Sequence, residues 1–131
     1  MKRFRRVRFV HLLLATALSL GLIHHAPAAT PKVTYYAAIA YSQRTKKWGF
    51  SEKCTDKEEA FKRARKECGA GDAKVVVWAA NGTYCALAQA PNGAYGCATG
   101  ATEKEARKAA HAECRKFAKK SAIVVCVRGG P

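Results

Sequence analysis

The amino-acid sequence predicts an α+β domain built as a tandem duplication of a ββαβ unit, with an antiparallel sheet packed by two helices and stapled by disulfides. Three observations lead to this fold class. Short motifs recur in the same order and at similar spacing in two successive stretches of the chain. Each stretch has one helical segment, with a clear start signal, between strand-like segments. All six cysteines follow a leader in which basic, apolar and small residues occur in the order typical of an export signal.

The leader occupies the first 28 residues. Five basic residues precede an apolar stretch over 9–23, and the small-residue site Ala26-Pro27-Ala28 follows. The apolar stretch is shorter than the roughly 20 residues that a membrane-spanning helix needs. We therefore predict a signal peptide over 1–28, a single mature domain over 29–131 without a transmembrane segment, and a periplasmic or secreted location in a bacterium. A retained membrane anchor is the alternative.

The internal repeat is the most informative feature of the mature part. Its two copies are predicted over about 34–80 and 82–128. The matched motifs are the strand at 36–40 with that at 84–88, Trp48-Gly49 with Tyr95-Gly96, the helical segment 56–68 with 102–114, and the strand at 75–78 with that at 123–126.

Each copy begins with two strands. Aromatic and small apolar residues bounded by turn formers predict a first strand over 35–41 and again over 83–89. Loops over 42–46 and 91–93 lead to second strands around 48–51 and 94–98. Each pair is predicted to form a hairpin.

A capped helix follows each hairpin. Asp56 with Glu59, and Thr102 with Glu105, place a side-chain acceptor first and a carboxylate three residues later. Alanines and a cysteine recur at four-residue spacing in both helices, which predicts a narrow apolar stripe packed closely on the sheet.

The copies end in β-branched runs over 74–79 and 122–127. Because these runs lack polar alternation, they are expected to be covered on both faces or central in their sheet. Asn81-Gly82 is predicted to make a tight turn into the second copy.

Six cysteines in an exported chain of this size predict up to three disulfides. A strand returning antiparallel to its helix places Cys126 level with Cys114. A hairpin at 81–82 brings Cys85 within reach of Cys68. Cys54 and Cys97, which belong to the first and second predicted β-hairpins of the repeat, remain as the third pair. The disulfide candidates are Cys114 with Cys126, Cys68 with Cys85, and Cys54 with Cys97.

Several of these motifs together carry a family resemblance. The opening at 35–42, Val-Val-Val-Trp at 75–78, Cys-Ala-Leu-Ala at 85–88 and Gly-Ala-Tyr-Gly at 93–96 resemble the bacterial secreted domain of unknown function 4189 family. The resemblance implies an exported, duplicated, cysteine-containing domain without an established shared activity. The chain departs from the family pattern in having Ala73 where a cysteine often precedes the valine strand, and in carrying Cys54 and Cys97.

The sequence offers little for catalysis or cofactor binding. His111 is the one histidine in 29–131 and lies three residues before Cys114, so a Cys-His nucleophile pair is the enzyme hypothesis, weighed against an oxidised Cys114. The glutamates at the helix starts act as caps, and no phosphate-binding glycine motif or closely spaced zinc-type cysteine pair occurs. We predict no catalytic residue, no cofactor and no metal.

Charge gives the clearest functional indication. The precursor has 24 basic and 9 acidic residues, and removing the leader takes away five basic residues and no acid, which leaves 19 against 9, or +10. Such a charge favours anionic partners, although no specific nucleic-acid motif is present. The two basic helices are expected to form one positive surface. Its candidate residues are Lys104, Lys108, Arg115, Lys119, Lys62, Arg63 and Lys66.

These features predict a non-enzymatic binding or interaction module for an anionic envelope polymer or an acidic exported protein. A solvated surface that only keeps the domain soluble is the plainest alternative explanation of the charge. The alternative functions are a small secreted enzyme or toxin-like effector, and an inhibitor of another exported protein.

Overall fold

Eight secondary-structure elements make up two successive ββαβ units. A computed structural model describes residues 26–27 and 30–131, so the predicted signal peptide lies almost entirely outside the described residues. All elements belong to the unit Pro31–Pro131. They are β1 (Tyr36–Tyr41), β2 (Trp48–Cys54), α1 (Lys57–Cys68), β3 (Lys74–Ala80), β4 (Tyr84–Gln89), β5 (Tyr95–Gly100), α2 (Glu103–Arg115) and β6 (Ala122–Arg128). Within the described residues, no helix is long and apolar enough to cross a membrane.

The strands form two antiparallel three-stranded sheets rather than the single sheet expected from the sequence. Their orders are β2-β1-β3 and β5-β4-β6. The chain passes between them at Asn81-Gly82, where both residues have positive φ (54° and 83°) and Thr83 N–H donates to Ala80 C=O at 3.1 Å. This tight turn was predicted, but it carries β4 into the second sheet instead of closing a hairpin on β3.

The central strand is β1 in one sheet and β4 in the other, so the expectation of a central place for β3 and β6 is wrong. Ala38 and Ala40 face α1, while Ile39 and Tyr41 face the other sheet, and all four are buried. Small residues on one side admit the helix closely, and large residues on the other fill the space between the sheets. The Val-rich runs instead form edge strands, which are only partly buried.

The layers are therefore helix, sheet, sheet, helix, with three apolar clusters between them. The inner cluster draws on both units, with Ile39 and Leu87, at matching repeat positions, fully buried at its centre. Each outer cluster lies between one helix and its own sheet, around the stripes Ala60, Ala64, Cys68 and Ala106, Ala110, Cys114.

Both predicted helix starts are confirmed. The Asp56 carboxylate accepts from Glu59 N–H at 2.8 Å, and Thr102 with Glu105 forms a reciprocal capping box. α1 ends at Gly69, whose φ of 70° is readily adopted by glycine and whose N–H donates to Arg65 C=O.

The structure does not support the prediction of a disulfide-stapled domain, since all six cysteines are free. Cys54 and Cys68 lie in the α1 layer, and Cys85 lies between the sheets with Cys97 beside it. The pairs Cys68–Cys85 and Cys54–Cys97 thus join different layers, because the turn at 81–82 carries the second unit away from the first sheet. Of the three predicted pairs, only Cys114 and Cys126 lie in the same cluster, under α2.

Candidate functional site

The predicted basic residues lie on two separate outer layers. α1 packs on the first sheet and α2 on the second, and within residues 30–131 the two helices do not contact each other. The expected single positive surface is therefore two surfaces on opposite sides of the sandwich. All seven predicted residues are exposed: Lys62, Arg63 and Lys66 on α1, Lys104, Lys108 and Arg115 on α2, and Lys119 just after it.

Ion pairs within the helices distinguish the two surfaces. On α2, Arg107 pairs with Glu103 at 2.6 Å, and Lys116 just beyond it pairs with Glu113 at 2.9 Å. The acids of these two pairs are Glu103 and Glu113. Among the described residues, none of the predicted basic residues of the α2 surface takes part in an ion pair. On α1, Arg63 pairs with Glu59 at 2.8 Å, so one predicted residue of that surface is neutralised.

A second candidate site, which the sequence did not indicate, lies at one end of the sandwich between the two sheets. It is a pocket of about 290 Å³ lined by Tyr41, Gln43, Asp72, Lys74, Val76 and Tyr95. A neighbouring cleft of about 560 Å³ shares Gln43 and Tyr95 with it and continues past Cys97 to Phe117. Together they form a groove with both aromatic and charged walls.

Tyr41 and Lys74 reach the pocket from directly opposite positions on β1 and β3. Their side chains share one face of the sheet because directly paired residues point the same way. The corresponding pair in the second sheet is Gln89 and Ala122, so the repeat does not duplicate this pocket. This difference between the two copies of the repeat is the feature of the sequence that could have indicated the pocket.

A hydrogen-bonded loop fixes the carboxylate of the pocket. The Ser42 hydroxyl donates to Asp72 Oδ1 at 2.6 Å, and Arg44 N–H donates to Asp72 Oδ2 at 3.2 Å. Arg44 Nε lies 4.0 Å from Oδ1. The hydrogen bond from Ser42 lowers the pKa of Asp72 most, with smaller contributions from the Arg44 backbone and charge, so this group stays ionised at neutral pH.

The aromatic wall joins the two sheets. The ring centroids of Tyr41 and Tyr95 lie 4.5 Å apart, and Gln43 Nε2 donates to Tyr95 Oη at 3.2 Å. Tyr41 is 1% exposed, and its Oη is the one buried side-chain oxygen or nitrogen in the described part of the chain without a hydrogen-bond partner. A buried hydroxyl without a partner is uncommon in folded proteins.

The sequence profile of a domain of unknown function, DUF4189, matches residues 36–127. The chain belongs to this family. The match begins at the first residue of β1 and ends within β6, so both ββαβ units and the groove lie inside the DUF4189 domain. A search of curated proteins found no match to the chain, and neither did a search of solved structures.

The Cys-His pair considered as a nucleophile is not assembled in the DUF4189 domain. His111 Nδ1 hydrogen-bonds Ser121 Oγ at 2.7 Å, whereas Cys114 Sγ faces Ala94 C=O at 3.7 Å. Burial raises the pKa of the Cys114 thiol, which disfavours the reactive thiolate. Burial likewise raises the pKa of Cys85 to about 12.

The described part of the DUF4189 domain has no cluster of three His, Cys, Asp or Glu side chains that could hold a metal ion. The features that the DUF4189 domain presents to a partner are the basic residues of α2 that form no ion pair among the described residues, and the mixed walls of the groove.

Proposed function

We propose that this DUF4189 domain is a non-enzymatic binding module that acts outside the cytoplasm on an anionic macromolecule of the cell envelope. The observation that carries the proposal is the α2 cation group, defined as Lys104, Lys108, Arg115 and Lys119. All four side chains are exposed, and no ion pair among the described residues includes them.

The packing of α2 explains why these cations point outward. Ala106, Ala110 and Cys114 are completely buried against the second sheet, so the helix cannot rotate without losing that contact. Lys104, Lys108 and Arg115 occur at spacings of four and seven residues and share a stripe away from the buried one. Cations held on a rigid helix attract a polyanion without first having to break internal ion pairs.

Replacing the α2 cation group by glutamine should weaken binding to a soluble polyanion, for which dextran sulfate is the probe, by about tenfold or more. The helix should persist, because none of the four side chains contributes to the buried stripe. Affinity is measured by titration calorimetry at low salt, and the wild-type affinity should fall steeply as ionic strength rises towards about 1 M, where the Debye length is about 3 Å.

The matched control carries the same loss of four charges on α1, as Lys62→Gln, Arg63→Gln, Arg65→Gln and Lys66→Gln. Because α1 lies on the opposite layer, this variant should retain most of the affinity. Equal losses in the two variants would show that only net charge matters, and unchanged binding in the α2 variant with a native circular dichroism spectrum would overturn the proposal.

We also propose that the protein is exported, because its leader has the sequence pattern of a signal peptide. Intact-mass measurement of the protein from a bacterial periplasm or medium should give a chain that begins at Ala29 or close to it. A membrane-bound protein that retains Met1 would contradict the proposed cleavage.

A further inference from the structure

β3 is an edge strand of the first sheet, and its outer side is open over half of its length. From Val77 to Ala80 the strand has no charge, no proline and no register shift. The opposite edge of the same sheet, β2, carries Glu52 and Lys53. Proteins usually place charges, prolines or bulges on edge strands, because the unpaired backbone groups of an edge can accept another strand.

The hydrogen bonds around Ala80 show which backbone groups of β3 point away from β1. Asn81 N–H donates to Tyr35 C=O, on the β1 side, at 3.3 Å. Ala80 instead donates its N–H to Thr83 Oγ1 at 3.3 Å and accepts at its C=O from Thr83 N–H at 3.1 Å. Because the backbone groups of successive strand residues point to opposite sides, Trp78 presents its N–H and C=O on the same outer side as Ala80. Among the described residues, no hydrogen bond beyond those of the strand ladders uses these two Trp78 groups.

A groove of about 700 Å³, within the usual range of ligand sites, follows this outer edge. It lies between β3 from Val76 to Ala80 and the end of β5 from Thr99 to Ala101. The Cys97 thiol donates to Val76 C=O at 3.3 Å, which brings β5 close to β3 at one end of the groove. Thr99, two residues further along β5, has its exposed side chain on the same face as Cys97. None of the described residues that line the groove is charged.

A cation lies on the side chain of Trp78. Lys57 Nζ is 4.0 Å from the centre of the Trp78 ring and 5.5 Å from that of Phe61, and no ion pair among the described residues includes it. The repeat places Glu103 and Arg107 at the corresponding positions of α2, where they pair with each other at 2.6 Å. The second unit thus neutralises its own charge at this place, whereas the first keeps an unpaired cation beside an open edge.

We propose that the outer edge of β3 binds an extended segment of a partner protein, antiparallel to β3 and with a carboxylate side chain opposite Trp78. The segment exchanges two backbone hydrogen bonds with Trp78, as when a peptide adds a strand to a sheet edge. The residue opposite Trp78 points to the same face as the indole ring, so a glutamate there reaches Lys57.

A second copy of this chain is a poorer occupant of the edge than an acidic partner. Pairing two β3 edges would bring together two strongly basic domains and the two unpaired Lys57 ammonium groups. The β3 edge belongs to the first sheet and does not include the α2 cation group, so this proposal and the proposed function are tested separately.

The probe is the capped peptide acetyl-Thr-Val-Glu-Val-Thr-amide, titrated at millimolar concentrations into the purified, isotope-labelled protein and followed by NMR. Binding should shift the Trp78 amide and slow its hydrogen exchange about tenfold at saturation, because exchange then requires the new hydrogen bond to open. The same peptide methylated on the glutamate backbone nitrogen cannot donate to Trp78 C=O. It should bind about fivefold more weakly, the effect of losing one hydrogen bond.

A second comparison tests the charge. Replacing the glutamate of the peptide by glutamine should weaken binding about threefold, as expected for a partly exposed ion pair. Lys57→Gln should weaken binding of the glutamate peptide equally and leave that of the glutamine peptide unchanged. Lys66→Gln is the matched control: it removes one charge from the same helix, but Lys66 lies beside β2, in a pocket with Phe50 and Glu52. It should bind both peptides as the wild type does.

Each of four results would overturn the proposal. The first is a Trp78 amide that does not shift at millimolar peptide. The second is equal affinity for the methylated peptide, which would mean contact without strand pairing. The third is equal affinity of the wild type and Lys57→Gln for the glutamate peptide, which would remove the carboxylate from the description of the partner. The fourth is a dimeric protein whose Trp78 amide is already protected from exchange, which would show that a second copy occupies the edge.

Discussion

Gly96→Ala should destabilise the domain by about 3 kcal/mol, at the upper end of what overpacking costs. A Cβ at this position of β5 would lie 2.6 Å from Ala110 C=O oxygen and 2.7 Å from the Glu113 carbonyl carbon, and would also strike Cys114 N. These are backbone atoms of α2, which cannot move aside as a flexible side chain can. Thermal unfolding should show the midpoint falling by roughly 15 °C.

The matching position in the first unit is Gly49, where a Cβ would meet the α1 backbone at Glu67 and Ala64 in the same way. Gly49→Ala should therefore give a loss of similar size. Gly71→Ala is the control, because a Cβ there has no neighbour within 4 Å, and its melting point should stay near that of the wild type. Wild-type stability in Gly96→Ala would mean that α2 does not pack on β5 as closely as described.

Leu87→Ala should cost about 2–5 kcal/mol, because it opens a cavity in the inner cluster between the two sheets. Leu87 is 0% exposed and lies on β4, where α2 covers one face and the first sheet covers the other. Denaturant unfolding of the two proteins measures the difference in free energy of unfolding.

Val33→Ala is the comparison for this substitution. Its side chain is 55% exposed and precedes β1, so shortening it should change the free energy of unfolding by less than about 0.5 kcal/mol. Equal effects of the two substitutions would contradict the packing of one sheet on the other through Leu87.

Local features of the fold were predictable because their causes lie close together in the sequence. The caps at Asp56 and Thr102 depend on residues three positions apart, and the alanine stripes depend on helical spacing. The repeat also predicted two ββαβ units. The separation into two sheets was not predictable, because an Asn81-Gly82 turn has the same local sequence whether the following strand stays in one sheet or enters another.

The candidate sites divide in the same way. The exposure of the α2 cation group follows from the stripe on its opposite side, which the sequence shows. Its separation from the α1 cations depends on which sheet each helix covers. The pocket depends on contacts between residues distant in the sequence, such as Ser42 with Asp72 and Tyr41 with Tyr95, and no short window of sequence contains them.

The inner cluster has an energetic consequence for the link at 81–82. Each unit packs its own helix, but the face that carries Ile39 in one unit and Leu87 in the other is covered only when the two units meet. The units thus relate to each other like the two protomers of a dimer whose association has been made intramolecular. Their association has an effective concentration fixed by a two-residue turn, so it does not weaken on dilution. A chain cleaved at that turn would instead behave as a two-fragment complex, whose stability falls as the fragments are diluted.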